Sequence, residues 1–125
     1  MTVLEGFPAL LDAWRVPNAP AFQPRAVAEA LGLEYQELAR IARVHRDTVR
    51  NSPANPQLQR TLSDIVRVLM AATDVAGGDV TRAIQWFRTE PLRVFRYRMP
   101  IDVIADGETE RLLDWMESLR AGALG

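Results

Sequence analysis

The feature that most constrains the fold is an apolar repeat of 3.6 residues in the middle of the chain, without a comparable two-residue repeat. This repeat comprises Leu58, Leu62, Ile65, Val66, Leu69 and Met70, and it ends near Gly77 and Gly78. Such spacing places the apolar side chains on one face of a helix. No segment alternates long enough to predict a strand, although 94–99 comes nearest. The sequence therefore predicts an all-α fold with this long helix as its spine.

An arm and two short helices are predicted before the long helix. Pro17 and Pro20 break any helix because they lack amide donors and fix φ, so 1–21 is expected to be an N-terminal arm and linker. Apolar spacing from Arg25 predicts a helix that ends at Gly32. A second helix is expected from about position 34 to 42. Together with the long helix, these elements form a predicted domain over 22–76.

A small helical module is predicted over 77–125. Asp79 can cap a helix that ends before Pro91, and Pro100 begins a short helix that stops at Gly107. The last helix is expected from about 108 to 121. Its predicted buried face carries Leu112, Trp115, Met116 and Leu119.

Composition excludes several classes of protein. The chain has 125 residues, 48% hydrophobic and 25% charged, which is typical of a folded globular protein. It has no cysteine and one histidine, so a zinc site and a cysteine nucleophile are excluded. Neither enzymatic activity nor a bound cofactor is expected. No apolar run reaches the roughly 20 residues of a membrane span. The first residues lack the basic stretch of a secretory signal, so a cytoplasmic location is expected.

Charge is unevenly distributed along the chain. The segment 36–60 contains five arginines and two acidic residues, which gives a local net charge of +3. The segment 101–125 contains six acidic residues and two arginines, which gives a local net charge of −4. The first segment suits phosphates and the second suits a cationic partner.

The segment 36–51 has the pattern of a helix-turn-helix. Leu38 and Ala39 lie on the inner face of one helix, Val44 lies in the turn, and Val49 points back from the next helix. Two steeply crossing helices need a small residue at their contact with aliphatic residues beside it. Many such motifs carry a glycine where this chain has Arg43. A helix pair that merely packs, with its arginines solvated, is the alternative.

A DNA-binding role follows if the second helix lies in the major groove. The candidate DNA-binding residues are Gln36, Arg43, His45, Arg46, Thr48, Arg50 and Asn51. Arg46 or Arg50 could bind guanine, and Asn51 could bind adenine. His45 is expected to cap the helix or contact phosphate. Asp47 repels phosphate, so it must face away, pair with an arginine, or accept a hydrogen bond from cytosine.

Beyond Ala83 the sequence resembles the toxin-binding domain of the Xre/MbcA/ParS-like antitoxins, and the preceding helix-turn-helix resembles the other half of that family. The resemblance rests on Trp86, Pro91, Leu92, Pro100, Asp106-Gly107 and the helix with Leu112, Met116 and Leu119 that ends at Gly122. It covers about 22–122. Relatives often have glycines where this chain has 93–98.

The resemblance implies the antitoxin of a type II toxin-antitoxin system whose partner is a RES-domain toxin that consumes NAD. In that family the end of the antitoxin covers the active site of the toxin. The positions implied here are Leu119, Arg120, Gly122, Ala123, Leu124 and Gly125. Arg96 and Arg98 are added as toxin-binding candidates, although their cluster with Arg93 could instead be a second phosphate contact.

Two functions are compatible with these patterns. The first is an antitoxin that also represses its own operon, acting as a homodimer or in a larger toxin-antitoxin hetero-oligomer, because helix-turn-helix proteins usually bind two half-sites. The alternative is a stand-alone helix-turn-helix transcription regulator whose C-terminal module only dimerises.

Overall fold

A computed structural model describes residues 6–124, and within them it contains eight α-helices, one short 3₁₀-helix and no strand. The predicted all-α fold is confirmed. The helices are α1 (Gly6–Trp14), α2 (Pro24–Leu31), α3 (Tyr35–Ala42), α4 (Arg46–Asn51), α5 (Pro56–Val75), α6 (Val80–Thr89), α7 (Pro100–Ala105) and α8 (Thr109–Leu124), with the 3₁₀-helix at Arg93–Phe95.

The predicted long helix is α5, which lies at the centre of the fold. Asn55 begins it, because its side-chain oxygen accepts a hydrogen bond from the Leu58 amide at 3.0 Å. Leu58, Leu62 and Ile65 are fully buried. Gly77 and Gly78, both with positive φ, follow the helix end as expected. The helix packs against α1, α3, α6, α7 and α8, so it is the spine that the repeat predicted.

The segment predicted as an N-terminal arm contains a helix that packs into the core. In α1 the side chain of Trp14 is 1% exposed, and Phe7 meets its ring edge-on at 6.1 Å between ring centres. After the turn at 17–20 the chain returns, and the Gln23 amide donates to the Trp14 carbonyl at 2.7 Å. Trp14 therefore anchors this helix, since burying an indole removes a large apolar surface from water.

Helices α2, α3 and α4 precede the long helix, and the predicted helix-turn-helix segment spans α3 and α4. Gly32 ends α2 in the left-handed conformation, as expected. Glu34 and Glu37 form a reciprocal capping box at the start of α3. Ala39 and Val49 are buried between α3 and α4 and Val44 is half-buried in the turn, so the packing predicted for these residues is confirmed.

The C-terminal helices pack on the rest of the molecule. Helix α7 contacts α3 and α6, and α8 contacts α5 and α7. Asp79 caps α6 as predicted, with its carboxylate 3.0 Å from the Arg82 amide. The segment nearest to a strand forms the 3₁₀-helix and a turn, in which Arg96 and Tyr97 both have positive φ. One cluster of buried side chains runs from Phe7 to Met116. The division into domains remains a prediction.

Candidate DNA-binding and partner-binding surfaces

Helix α4 presents its predicted DNA-reading side chains to solvent. Arg46, Arg50 and Asn51 are exposed, whereas Val49 on the opposite face is buried. The Arg50 guanidinium lies 6.0 Å from the centre of the Tyr35 ring, within cation–π range. Because Val49 is on the inner face, these side chains on the outer face of α4 are accessible to solvent.

His45 begins α4 as a capping residue. Its Nδ1 accepts a hydrogen bond from the Asp47 amide at 3.0 Å, so the capping role predicted for it is confirmed. The Asp47 carboxylate lies 3.6 Å from the same nitrogen. Of the alternatives for Asp47, the structure shows its carboxylate beside the histidine rather than paired with an arginine.

The remaining DNA-binding candidates lie around the start of α4. Gln36 and Arg46 are exposed, and together with Ala39, Arg40, Val44 and His45 they line a shallow groove of about 380 Å³. Thr48 is half-buried on α4. The structure therefore brings Gln36, His45 and Arg46 together, although 9 residues separate Gln36 from His45 in sequence.

Arg43 differs from the other candidates, because its side chain is bound within the chain. It lies at the C-terminal cap of α3 with φ of 58°, the conformation that usually favours glycine. Its Nε donates to the Ala105 carbonyl at 2.9 Å, and its Nη2 lies 3.8 Å from Asp106. Because 67% of this side chain is exposed, the DNA contact expected of Arg43 stays a prediction. In this structure Arg43 links the turn to α7.

Arg98 also makes contacts within the chain, and its assignment to the toxin-binding set stays a prediction. Its guanidinium donates to Asp106 at 2.8 Å and to both oxygens of Glu108 at 2.9 and 3.2 Å, and its Nε donates to the Phe95 carbonyl. Only 24% of the side chain is exposed. The hydrogen bond to Arg98 lowers the pKa of Glu108, and the same bond raises the pKa of Arg98.

An apolar groove of about 630 Å³ lies between the end of α5, helix α6 and the second half of α8. We call it the α6–α8 groove; it is lined by Ala72, Val75, Ala76, Gly77, Arg82, Ala83, Gln85, Trp86, Thr89, Glu90, Met116 and Leu119. Leu119 was expected both on the buried face of α8 and at the toxin. Leu112 and Met116 are buried, but 44% of Leu119 is exposed. Leu119 thus leaves the core and borders the groove.

The last residues of α8 are helical where the sequence predicted a tail. The helix was expected to end near Ala121, but it continues to Leu124. Arg120 lies 3.4 Å from Asp74 of α5, and Gly122 is exposed. The side chains of Ala123 and Leu124, and all of Gly125, lie outside the described residues. Arg96 is exposed in the turn before α7.

A comparison with solved structures identifies a similar chain in the crystal structure of the M. tuberculosis MbcT–MbcA toxin-antitoxin complex. The two chains are 27% identical with a TM-score of 0.57, and the match covers 80% of this chain and 92% of that chain. The predicted resemblance to the MbcA-like antitoxins is confirmed. No protein-family model matches this sequence. No curated protein matches it either.

Sequence patterns did not predict the α6–α8 groove. Trp86 supported the resemblance, but it was not assigned to a surface, and Val75 was not singled out. The available signal in the sequence was an apolar residue, Val75, beyond the regular stripe and close to the two glycines that follow α5. In the structure 55% of Val75 is exposed. Periodicity alone could not distinguish such a residue from the core. It identifies the apolar face of a helix, but not how far along the helix that face is buried by its neighbours.

Neither a metal-binding group nor a membrane-spanning helix is found among the described residues. Within residues 6–124, no three metal-binding side chains of histidine, aspartate or glutamate come together in a suitable group. No described helix combines the length and apolar character needed to cross a membrane.

Proposed function

We propose that this MbcA-like chain is the antitoxin of a type II toxin-antitoxin system, with α3 and α4 binding operator DNA and the α6–α8 side binding a toxin. The observation that carries this proposal is its similarity to most of one chain of a known toxin-antitoxin complex. The sequence resemblance narrows the proposed toxin to a RES-domain protein that consumes NAD. We further propose that the toxin is silenced because its active site is covered.

The α6–α8 groove supports the protein-binding half of the proposal. Val75 and Leu119 expose 55% and 44% of their surface at its border, and Trp86 contributes an aromatic side chain. Apolar surface bordered by charged groups is typical of protein interfaces, and Arg82 and Glu90 supply both signs here. Leu119 also leads directly into 120–125, the segment proposed to cover the active site. Exposed Arg96 remains a proposed contact of the same toxin.

Toxin binding can be tested with Leu119→Asp. A charge at this position should abolish co-purification with the RES-domain toxin and restore the growth arrest that the toxin causes, because the carboxylate would lose water in the interface. Met70→Asp is the matched control, since Met70 is 48% exposed on α5 but does not line the groove. Loss of binding with both variants, or with neither, would argue against this surface.

The DNA-binding half rests on the exposed face of α4. Arg46 and Arg50 can bind phosphate or guanine, and Asn51 can bind adenine, as expected of a recognition helix. Gln36 lies on the same groove as Arg46 and is proposed to contact phosphate, as is Thr48. Two copies of the chain would then bind two half-sites and repress their own operon.

Operator binding can be measured with the DNA upstream of the coding sequence. Arg46→Ala and Arg50→Ala should each weaken binding, and the affinity of the unaltered chain should fall steeply as salt rises. Arg82→Ala on α6 is the control, because it removes the same charge far along the chain from α4. Affinity that does not depend on salt, or that Arg82→Ala lowers equally, would contradict a specific role for α4. Operator binding without a toxin complex would favour the stand-alone regulator.

A further inference from the structure

One side of α7 and its C-terminal cap bind the arginines of α3 and of the turn that leads into α4. Asp102 Oδ1 accepts a hydrogen bond from Arg40 Nη2 at 3.1 Å. The Ala105 carbonyl accepts one from Arg43 Nε at 2.9 Å, and Asp106 Oδ1 lies 3.8 Å from Arg43 Nη2. Three oxygen atoms, from the first turn to the C-terminal cap of α7, therefore contact two guanidinium groups of α3 and its following turn.

Arg40 belongs to the surface that DNA would approach. It lines the same shallow groove as Gln36, His45 and Arg46, and it lies on the first helix of the helix-turn-helix. That helix crosses the phosphate backbone when the second helix enters the major groove. A guanidinium binds carboxylates and phosphates through the same planar set of donors. Asp102 thus binds the guanidinium group of Arg40, which is the group that a DNA phosphate would bind.

The position of α7 is fixed by the core and by a second arginine. Ile101, Val103 and Ile104 are buried, and Arg98 binds Asp106 from the other side at 2.8 Å. The Arg40–Asp102 pair itself is accessible, since 57% of the arginine and 32% of the aspartate side chain are exposed. An exposed pair of this kind contributes little stability, so an incoming phosphate can displace the carboxylate.

We propose that α7 is an internal competitor of DNA, in which Asp102 occupies Arg40, and Asp106 with the Ala105 carbonyl occupies Arg43. DNA binding is thereby weaker than the arginine content of the surface would otherwise make it. The proposal depends on the proposed DNA-binding function and adds its regulation: any change that withdraws α7 from α3 increases the number of arginines available to phosphates.

The test is Asp102→Asn, with Glu110→Gln as the matched control. Each variant removes one negative charge and one ion pair with an arginine, because Glu110 binds Arg67 at 2.8 Å. Asp102→Asn should raise the affinity for the upstream DNA by roughly threefold to tenfold at low salt, and should steepen the salt dependence by up to about 0.9 in log–log slope. Glu110→Gln should change the DNA affinity and its salt dependence only by the small effect of the altered net charge.

A double-mutant cycle separates competition from a purely structural effect. Arg40→Ala should weaken DNA binding more in the Asp102→Asn background than in the unaltered chain, because only there is the arginine released. Thermal unfolding of each variant verifies that α7 remains folded. If Asp102→Asn equals Glu110→Gln, the competition is overturned while DNA binding by α4 stands. If neither the unaltered chain nor Asp102→Asn binds DNA, both proposals fail.

Discussion

Arg43 occupies a position where its side chain and its backbone have opposite effects on stability. The left-handed conformation costs a residue with a Cβ atom on the order of 1 kcal/mol relative to glycine. The hydrogen bond to Ala105 and the interaction with Asp106 offset this cost. The absence of the usual glycine is therefore explained by a contact with α7 that glycine could not make.

The two effects at Arg43 can be separated with a pair of substitutions. Arg43→Gly and Arg43→Ala both remove the contact with α7, but only glycine relieves the backbone. We expect Arg43→Gly to be more stable than Arg43→Ala by about 1 kcal/mol in urea-induced unfolding. Equal stabilities would show that the positive φ of 58° is not strained.

Arg98 makes stability depend on pH through Glu108. The ordinary pKa of this carboxyl group is 4.5, and the hydrogen bond to Arg98 lowers its pKa in the folded chain. The unfolded chain therefore takes up the proton first as pH falls, so the stabilisation is complete above pH 4.5 and is lost below it. The hydrogen bond from Arg67 lowers the pKa of Glu110 in the same direction.

Replacing Arg98 by alanine should remove part of this pH dependence. We expect a lower Tm than the unaltered chain at about pH 7, and a smaller further decrease in Tm between about pH 6 and pH 3. Arg82→Ala serves as the control, because Arg82 is an exposed arginine on a different helix. A pH profile of Arg98→Ala parallel to that of the unaltered chain would assign the acid sensitivity to other carboxylates.

Among the helices, α8 combines a core segment with an accessible end. Its first half contributes Leu112 and Met116 to the core, whereas Leu119 and Gly122 are exposed beyond them. Arg120 connects this second half to Asp74 of α5 through an exposed ion pair at 3.4 Å. The end of α8 can therefore contribute to binding without contributing much to folding.

Truncation after Leu119 separates these two roles. We expect the shortened chain to keep its helical circular dichroism spectrum and a Tm within a few degrees of the full chain, and to lose neutralisation of the toxin. Asp74→Asn is the control, because it breaks the pair with Arg120 and leaves 120–125 unaltered. A truncated chain that still blocks growth arrest would show that 120–125 does not cover the active site.

Across the entire fold, one cluster of buried side chains includes residues from α1 to α8. Helix α5 contributes to the packing of both halves, and α7 contacts α3 directly. Small proteins with a continuous core usually unfold in one cooperative transition. The predicted boundary between positions 76 and 77 would then separate two functional regions of a single folding unit, rather than two domains that fold independently.

Tryptophan probes in the two halves can test this cooperativity. Trp86→Phe/Trp115→Phe leaves Trp14 as the reporter of the first half, and Trp14→Phe/Trp86→Phe leaves Trp115 as the reporter of the second. In each variant, we expect the fluorescence transition in urea to coincide with the transition in circular dichroism. Separate midpoints would instead demonstrate two independently unfolding domains.

Local sequence patterns were sufficient to predict the helices after α1 and several of their ends. The repeat through Leu58 and Leu62 predicted α5, Asp79 predicted the start of α6, and Gly32 predicted the end of α2. Local rules suffice for these features, because helix periodicity and capping depend on residues within about one turn of each other. The same rules placed Val49 inside and left Arg46 and Arg50 available on the outside of α4.

Long-range packing determined which charged side chains are accessible and where the core ends. Arg40 and Asp102 are 62 positions apart, and so are Arg43 and Ala105, so no local pattern could pair them. Leu119 fits the apolar stripe of α8, yet it is exposed because the helices packed against α8 leave it uncovered. Pairing and coverage depend on how helices are arranged in space, and one-dimensional spacing does not contain that information.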